Sequence, residues 1–260
     1  MTSFPTFEER PDLFERWMAM PGDTWPEGME FIYHDPVMNE FWPRLRTEFP
    51  EFQFLAVEED EELLGIGHTI PFRWSGDDAS LPDGLPTLLP LAFAERAYAS
   101  PPTALCALLV AMLPIGLARG LSAQMLSRMK NIAAVHGLDW VVAPVRPTDK
   151  HNHLDMRIEE YATWRREDGQ LVDPWLRTHE RIGGRCAGIA PAGNRFVGTV
   201  AQWRQWTGLA LAVSGDYVIP FAVSRAHIDI ERDIGVLTEP NVWMVHLTGY
   251  PQTAAKQNAC

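Results

Sequence analysis

Two apolar runs joined by one amphipathic segment constrain the fold of this 260-residue chain more than any other feature. The first run, residues 105–113, has the length and composition of a fully buried strand. Pro114 ends it, because proline cannot donate to a strand ladder. The second run covers residues 140–145. A connection of this length makes the two strands parallel neighbours, so the sequence predicts an α/β fold.

The segment between the two strands has the pattern of a turn followed by a helix. Apolar side chains recur at helical spacing from Ser122 onward, and His136-Gly137 supplies a C-terminal glycine. Gly116 and Gly120 lie in the turn, where a glycine lets a ligand approach the backbone. Because a helix N-terminus presents unpaired N–H groups and a positive dipole end, this turn predicts an anion site, most often for phosphate. The alternative is that the two glycines only shape a tight turn.

This unit resembles the central motif of the GNAT superfamily of N-acetyltransferases. In that family, a turn of the form Arg/Gln-x-x-Gly-x-Gly/Ala holds the pyrophosphate of coenzyme A. Its glycine falls on Gly120, and its last, small position falls on Ser122. Leu117 stands where the family has Arg or Gln, and the neighbouring Arg119 offers a basic side chain instead. The resemblance implies a coenzyme A site made by Met112, Leu113, Leu117, Arg119, Gly120, Leu121 and Ser122.

The resemblance covers most of the chain after about Phe54, and the subgroup that it indicates is a bacterial, GNAT-like one with a long insertion after its third strand. The segments that carry it include residues 67–74, 173–177, 203–208 and 239–243. It implies a single GNAT-like domain over residues 1–260, with a mixed sheet of about seven strands splayed at the coenzyme site and flanked by helices.

The insertion is assigned to residues 76–102, where five prolines exclude one continuous regular element. Long insertions in compact domains are often binding loops, so we expect this one to form part of the acceptor pocket. A surface elaboration or a dimer contact is the alternative.

Acyl transfer from a thioester to an amine needs a hydrogen-bond donor for the carbonyl oxygen, a base for the amine and an acid for the leaving thiolate. The resemblance gives the first task to a backbone N–H of the strand before the turn, here that of Met112 or Leu113. It matches Tyr161 by position to the acid, with a half-buried structural tyrosine as the alternative.

Several side chains are candidates for the base. His68 lies in the middle of a predicted strand, where it is either the base or a hydrogen-bonded structural histidine. The other candidates are Glu95, His34, His151 and His153. The segment His151-Asn152-His153-x-Asp155 has the spacing of metal ligands, but the chain marks no third or fourth ligand elsewhere. No metal site is therefore predicted.

Composition narrows the class of partners. The net charge of −12 argues against a nucleic-acid surface, which needs a basic patch, and it suits a cationic acceptor. No apolar run has the length of a membrane span, and the acidic N-terminal segment lacks the pattern of a secretion signal. The three scattered cysteines, Cys106, Cys186 and Cys260, indicate reduced thiols in a cytoplasmic protein.

The sequence thus predicts a cytoplasmic acyltransferase that transfers an acyl group from acetyl-CoA or another acyl-CoA to a small amine- or hydroxylamine-like acceptor. It predicts no nucleic-acid or membrane partner and leaves a homodimer open. One alternative is a degenerate GNAT-fold protein that binds coenzyme A or an acyl carrier without transfer, because Leu117 replaces the phosphate-facing residue. Another is an enzyme with a different acyl donor such as aminoacyl-tRNA, against which the acidic net charge counts.

Overall fold

The computed structural model describes residues 2–20 and 28–249, and within them eight strands form one mixed sheet. The strands are β1 (Gln53–Val57), β2 (Leu63–Phe72), β3 (Ala104–Met112), β4 (Trp140–Val145), β5 (Arg185–Gly198), β6 (Gly215–Val218), β7 (Arg225–Asp229) and β8 (Ile234–Leu247). Their order is β1-β2-β3-β4-β8-β7-β6, and β5 pairs with the other edge of β8. The α/β class with a mixed sheet is confirmed, with eight strands instead of seven.

Eight α-helices flank the sheet in the described residues. They are α1 (Pro11–Ala19), α2 (Pro36–Glu48), α3 (Leu85–Ala97), α4 (Pro114–Ala118), α5 (Ser122–Val135), α6 (Ile158–Thr163), α7 (Pro174–Arg181) and α8 (Val200–Thr207). Local sequence signals set several of their starts. Asp35 caps α2 by accepting from the N–H groups of Val37 and Met38, and its other oxygen accepts from Arg195 N in β5 at 2.8 Å.

The side chains of β8 alternate between two helical layers, as strand geometry requires. His246 meets His179 of α7, which lies on the same side as α5. Trp243 donates its Nε1 hydrogen to Pro82 O in the segment leading to α3, and a side chain at Gly235 would collide with Trp203 of α8. We call these two sides the α5 face and the α3 face.

β3 and β4 separate along their length. Their parallel pairing covers only Ala104 to Cys106 on β3, although β3 continues to Met112 and β4 to Val145. The register between β2 and β3 shifts at His68, which leaves Leu108 as an extra, bulged residue. Residues 108–110 are half-buried although β3 is a central strand. We call this opening between the two strands the splay, and it matches the predicted feature.

The insertion lies between β2 and β3, so it follows the second strand of this sheet and not the third. Its main element is α3, which packs against α2, β2 and β5. Leu88, Leu89 and Phe93 of α3 are part of the main hydrophobic core. A purely decorative insertion is therefore excluded, because removing α3 would expose that core.

No helix of the described residues is long and apolar enough to cross a lipid bilayer. Cys106 is a buried free thiol and Cys186 an exposed one, whereas Cys260 lies outside the described residues.

Candidate active site

The β3 wall of the splay presents backbone groups. Leu113 N–H donates to Leu64 O of β2 at 2.9 Å, and hydrogen-bonded pairs alternate with non-bonded pairs along an antiparallel ladder. Val110 and Met112 therefore direct their N–H groups away from β2 and into the splay. A fixed backbone N–H is suited to hold the oxygen of a thioester as it gains charge. This orientation agrees with the role predicted for Met112 and contradicts that of Leu113, whose N–H is already engaged.

The turn after β3 is itself helical. Residues 114–118 form α4, and Gly120 follows it with a φ of +66°, a conformation that favours glycine. The N–H groups of Arg119, Gly120 and Leu121 donate to carbonyl oxygens of α4 at 3.2, 3.0 and 3.4 Å. The prediction that these three groups point at a pyrophosphate is therefore wrong. Proline explains the difference, since Pro114 ends the strand and also suits the first turn of a helix.

The anion site that remains is the N-terminus of α5. Ser122 is its first residue, no side chain caps it, and its first turn holds no acidic residue. The N–H groups of that turn therefore stay available for an anion. A Cβ built at Gly120 meets nothing within 4 Å, so the space in front of the helix is open. Leu117 lies in α4 with 59% of its side chain exposed.

Arg119 does not face this opening as a free cation. Its guanidinium lies 2.8 Å from Glu58 and 3.9 Å from Glu62 in the hairpin between β1 and β2. These contacts hold Arg119 against an acidic surface, so its predicted contact with phosphate stays a prediction and would require it to exchange partners.

The β4 wall of the splay is shaped by Pro144 and Asn241. Thr248 N–H donates to Asp139 O, and alternation from that pair directs the backbone of Pro144 toward β3. A proline at this position costs no ladder hydrogen bond, because the neighbouring strand has already diverged. Asn241 Nδ2 donates to Pro144 O at 3.1 Å, and the buried Asn241 Oδ1 has no hydrogen-bond partner in the described chain.

An ion pair lies directly beyond β4. Arg146 Nε and Nη2 donate to the two carboxylate oxygens of Glu239 at 2.6 and 2.9 Å, and Nη2 also donates to Phe221 O at 2.6 Å. Glu239 is 0% exposed and accepts a further hydrogen bond from Val223 N–H at 2.8 Å. This carboxylate therefore joins β8, the end of β4 and the turn before β7.

Several known proteins are similar to this chain in sequence or in structure. No family model matches the chain. The arginine N-acetyltransferase avaD of Aspergillus versicolor is 29% identical over 276 aligned positions, which cover 94% of this chain and 93% of that protein. The loading GNATL domain of CurA from Lyngbya majuscula has the same fold, with a TM-score of 0.56 at 20% identity over 95% of this chain and 98% of that one.

The GphF GNAT-like decarboxylase in complex with isobutyryl-CoA is similar to the same degree, with a TM-score of 0.55 at 17% identity over 95% of this chain and 99% of that one. These two structures show that the chain has the GNAT fold. The narrower expectation of a bacterial subgroup stays a prediction, since the relative named above is fungal.

Within the GNAT fold, Tyr161 does not occupy the position of a working acid. Its side chain is 1% exposed, and its hydroxyl donates to Asp173 Oδ2 at 3.1 Å. Burial and the charge of Asp173 raise the pKa of Tyr161. Asp173 also caps α7, so Tyr161 belongs to a closed structural network and the structure contradicts the predicted role.

His68 and Glu95 are likewise engaged elsewhere. His68 is buried, its Nδ1 lies 3.0 Å from Gln53 Oε1, and burial lowers its pKa to about 3. A base with so low a pKa is mostly ineffective at neutral pH. Glu95 accepts from Arg73 N–H at 2.7 Å, at the end of β3 where β3 and β4 are still paired. That end is about 30 Å from Met112 along the strand, so both predicted bases are contradicted.

His151 is the histidine with the geometry of a base. Its Nδ1 lies 3.1 Å from Thr148 O, and a carbonyl oxygen can only accept, so Nδ1 carries the hydrogen and Nε2 a free lone pair. Its ring lies 5.7 Å from that of Phe221, beside the Arg146–Glu239 pair. His153 contacts Asp149 at 3.5 Å instead.

Two other features lie outside the splay. Within residues 2–20 and 28–249, no group of three His, Cys, Asp or Glu side chains could hold a metal ion. A cavity of about 700 Å³ lies at the edge of β1, lined by Glu9, Arg10, Glu61 and Arg128 among others. Arg10 pairs with Glu61 at 2.8 Å and Arg128 lies 3.8 Å from Glu9, so both arginines of this cavity have a carboxylate partner. The candidate site is therefore identified by its position at the splay and not by the volume of a cavity.

Proposed function

We propose that this protein transfers an acyl group from acyl-coenzyme A to a nitrogen of a small, cationic acceptor. The observation that carries the proposal is the splay, whose β3 wall directs the N–H groups of Val110 and Met112 into an open gap that leads to the uncapped start of α5. One long substrate can bridge these two features, with its phosphates at α5 and its thioester beside β3. The relative named for arginine supports an amino-acid-like acceptor with an amine or guanidine nitrogen.

The proposed chemistry uses few side chains. The cationic acceptor first loses one proton to solvent, and its neutral nitrogen then attacks the thioester carbon. The carbonyl oxygen takes a hydrogen bond from Val110 or Met112 N–H while its charge develops. His151 Nε2 accepts the proton that the nitrogen loses as the new C–N bond forms. The C–S bond then breaks and coenzyme A leaves as a thiolate, which solvent protonates. No side chain is assigned as the acid.

The donor half of the proposal is tested at Gly120. Asp and Asn have the same shape, and both tolerate a positive φ better than most residues, so Gly120→Asp and Gly120→Asn differ mainly in charge. The added carboxylate would occupy the open space before α5 and repel the phosphates. By calorimetry, we expect Gly120→Asp to lose measurable coenzyme A binding and Gly120→Asn to retain most of it. Equal affinities in the two variants would refute a phosphate site at this helix.

The transfer half is tested by consumption of acetyl-CoA in the presence of arginine and a pool of other amines. Formation of an N-acylated product is expected. Binding of coenzyme A without product from any amine would instead support the degenerate alternative, and product only with a charged aminoacyl-tRNA would support the other donor.

A further inference from the structure

We propose that Arg146 forms a carboxylate subsite at the mouth of the splay, so that the acceptor carries a carboxylate in addition to its reacting nitrogen. This inference deepens the proposed function and rests on it. It identifies the acceptor as an amino acid or a close derivative, and not a simple amine.

The position of Arg146 places it opposite the proposed reaction centre. It follows Val145, the last residue of β4. In the parallel register, Cys106 of β3 is level with Val142, so four residues further along, Val110 is level with Arg146 to within the one-residue bulge at Leu108. Residue 146 therefore lies on the β4 side at the height where a β3 N–H faces the gap.

The guanidinium of Arg146 is fixed and only partly used. Nε and Nη2 make all of its hydrogen bonds within the described residues, to Glu239 and to Phe221 O. Nη1 has no such bond and is absent from the buried unpartnered atoms of the described chain, so it remains open to solvent. The side chain as a whole is only 19% exposed. The guanidinium is a rigid planar group, and its free edge at Nη1 can donate hydrogen bonds to a carboxylate.

Glu239 limits how strongly this edge can attract an anion. The buried carboxylate neutralises the charge of Arg146, so the pair as a unit carries no net charge. The free Nη1 edge then binds through directed hydrogen bonds more than through net charge. We therefore expect a moderate preference for carboxylated acceptors and no tight binding of free anions.

Two further features indicate that the pair of Arg146 and Glu239 is more than a structural ion pair. Phe221, whose carbonyl Arg146 holds, has a φ of +62° and is 37% exposed, a strained conformation for a bulky side chain. Asn241 lies two residues from Glu239 on the same strand face and keeps a buried Oδ1 without a partner in the described chain. The strained backbone of Phe221, the unpartnered Oδ1 of Asn241 and the free Nη1 of Arg146 thus occur together at one end of the splay.

The test compares amino acids with the amines left after loss of their carboxylate, using arginine with agmatine and lysine with cadaverine. In the parent protein we expect KM to be about tenfold lower for the amino acid of an accepted pair, the effect of one charge-assisted hydrogen bond. The double variant Arg146→Gln/Glu239→Gln removes both charges, so that neither is left buried alone. It should raise KM for the amino acid to the value for the amine, so that the preference within each pair is lost.

A second variant protects the test from a folding failure. Arg146→Lys keeps the ion pair with Glu239 but lacks the Nη1 edge, so it should also lose the preference. Arg165→Gln is the matched control, since Arg165 forms an exposed pair with Glu180 away from β4 and should leave both KM values unchanged.

Three outcomes would overturn the proposal. They are equal KM values for amino acid and amine in the parent, an unaltered preference in both Arg146 variants, and an Arg146 effect that appears only with succinyl-CoA in place of acetyl-CoA. The last result would assign the guanidinium to the acyl donor. Failure of the proposed function differs from all of these, because acetyl-CoA would then not be consumed with either member of any pair.

Discussion

The two walls of the splay present different kinds of groups to the gap between them. The β3 wall uses backbone N–H groups, and it belongs with α4 and α5 to one continuous segment of the chain. The β4 wall uses groups from three separate places. They are the side chain of Arg146, the backbone carbonyl of Phe221 in the turn before β7, and the side chains of Glu239 and Asn241 on β8. The donor side is thus formed by one continuous segment of the sequence, whereas the acceptor side is assembled by folding from segments that are distant in the sequence.

This difference has a functional consequence. A backbone site tolerates most side-chain substitutions, because the hydrogen-bonding groups stay in place when the side chain changes. A site made by side chains is altered by single substitutions, and these change which acceptor is bound. We therefore expect donor use to be robust in this protein and acceptor choice to be easily changed, and the following variants test that contrast.

The largest effect is expected on the acceptor side, at His151. Loss of a general base typically lowers turnover by about 10²–10⁴-fold. His151→Gln should show such a loss with unchanged coenzyme A affinity, measured by steady-state kinetics and calorimetry. His153→Gln is the control, since His153 faces Asp149, and it should keep most of the turnover. Full activity of His151→Gln would leave His151 as a loop residue.

The next effect concerns the backbone of β3. Val110→Pro removes the N–H that faces the splay and no hydrogen bond to β2. Loss of one oxyanion donor costs about 10²–10³-fold in kcat. Ala111→Pro is the matched control, because its N–H faces β2, and we expect that variant to lose its fold by circular dichroism. A folded Val110→Pro protein with parental kcat would exclude Val110 as the donor and leave Met112.

Sequence reasoning succeeded where the structure depends on neighbouring residues. The bounds of β4 coincide with the apolar run 140–145, and α5 begins at Ser122, where the helical spacing begins. It failed for the region of α4, where Pro114 both ends a strand and begins a helix. β7 has no strong pattern of its own, because its short run of alternating residues acquires meaning only beside β8.

The candidate site was less predictable for a related reason. His68 and Tyr161 have suitable chemistry, but their burial depends on packing partners that the sequence does not identify. Glu239 is separated from Arg146 by 93 residues, so no local spacing marks the pair. The free lone pair of His151 is likewise set by a backbone carbonyl that only the folded loop brings to it.

At acidic pH, the buried histidines on the two sides of the sheet should contribute unequal losses to the free energy of unfolding. Burial lowers the pKa of His68, on the β2 side, to about 3, and it lowers those of the paired His179 and His246, on the β8 side, to about 3 and about 4. Below the unfolded pKa of about 6.5, the unfolded chain binds more protons than the folded one. The free energy of unfolding therefore decreases as the pH decreases. By pH 5 the loss is about 2 kcal/mol per histidine, and it continues until each folded pKa is reached.

This dependence is measured by denaturant unfolding between pH 7.5 and 5. His68→Gln should remove the contribution of one histidine from the slope, since glutamine can still bond to Gln53. His227→Gln changes an exposed histidine and is the control. Stability that stays constant over this range would show that these histidines accept protons in the folded state.

The smallest effect is expected at Leu117, which stands where the GNAT coenzyme motif has Arg or Gln. The Leu117 side chain is exposed on α4, close in sequence to the start of α5, so Leu117→Arg should fold normally. An exposed cation near a phosphate gains about 0.3–1 kcal/mol, or about two- to fivefold in affinity for coenzyme A. Because that gain comes from screened charge, it should disappear above about 0.5 M salt. Leu117→Gln, which lacks the charge, is the control and should gain less. If Leu117→Arg bound coenzyme A no more tightly than the parent at low salt, the backbone of α5 alone would account for the phosphate site, and the contrast between the two walls would be sharper still.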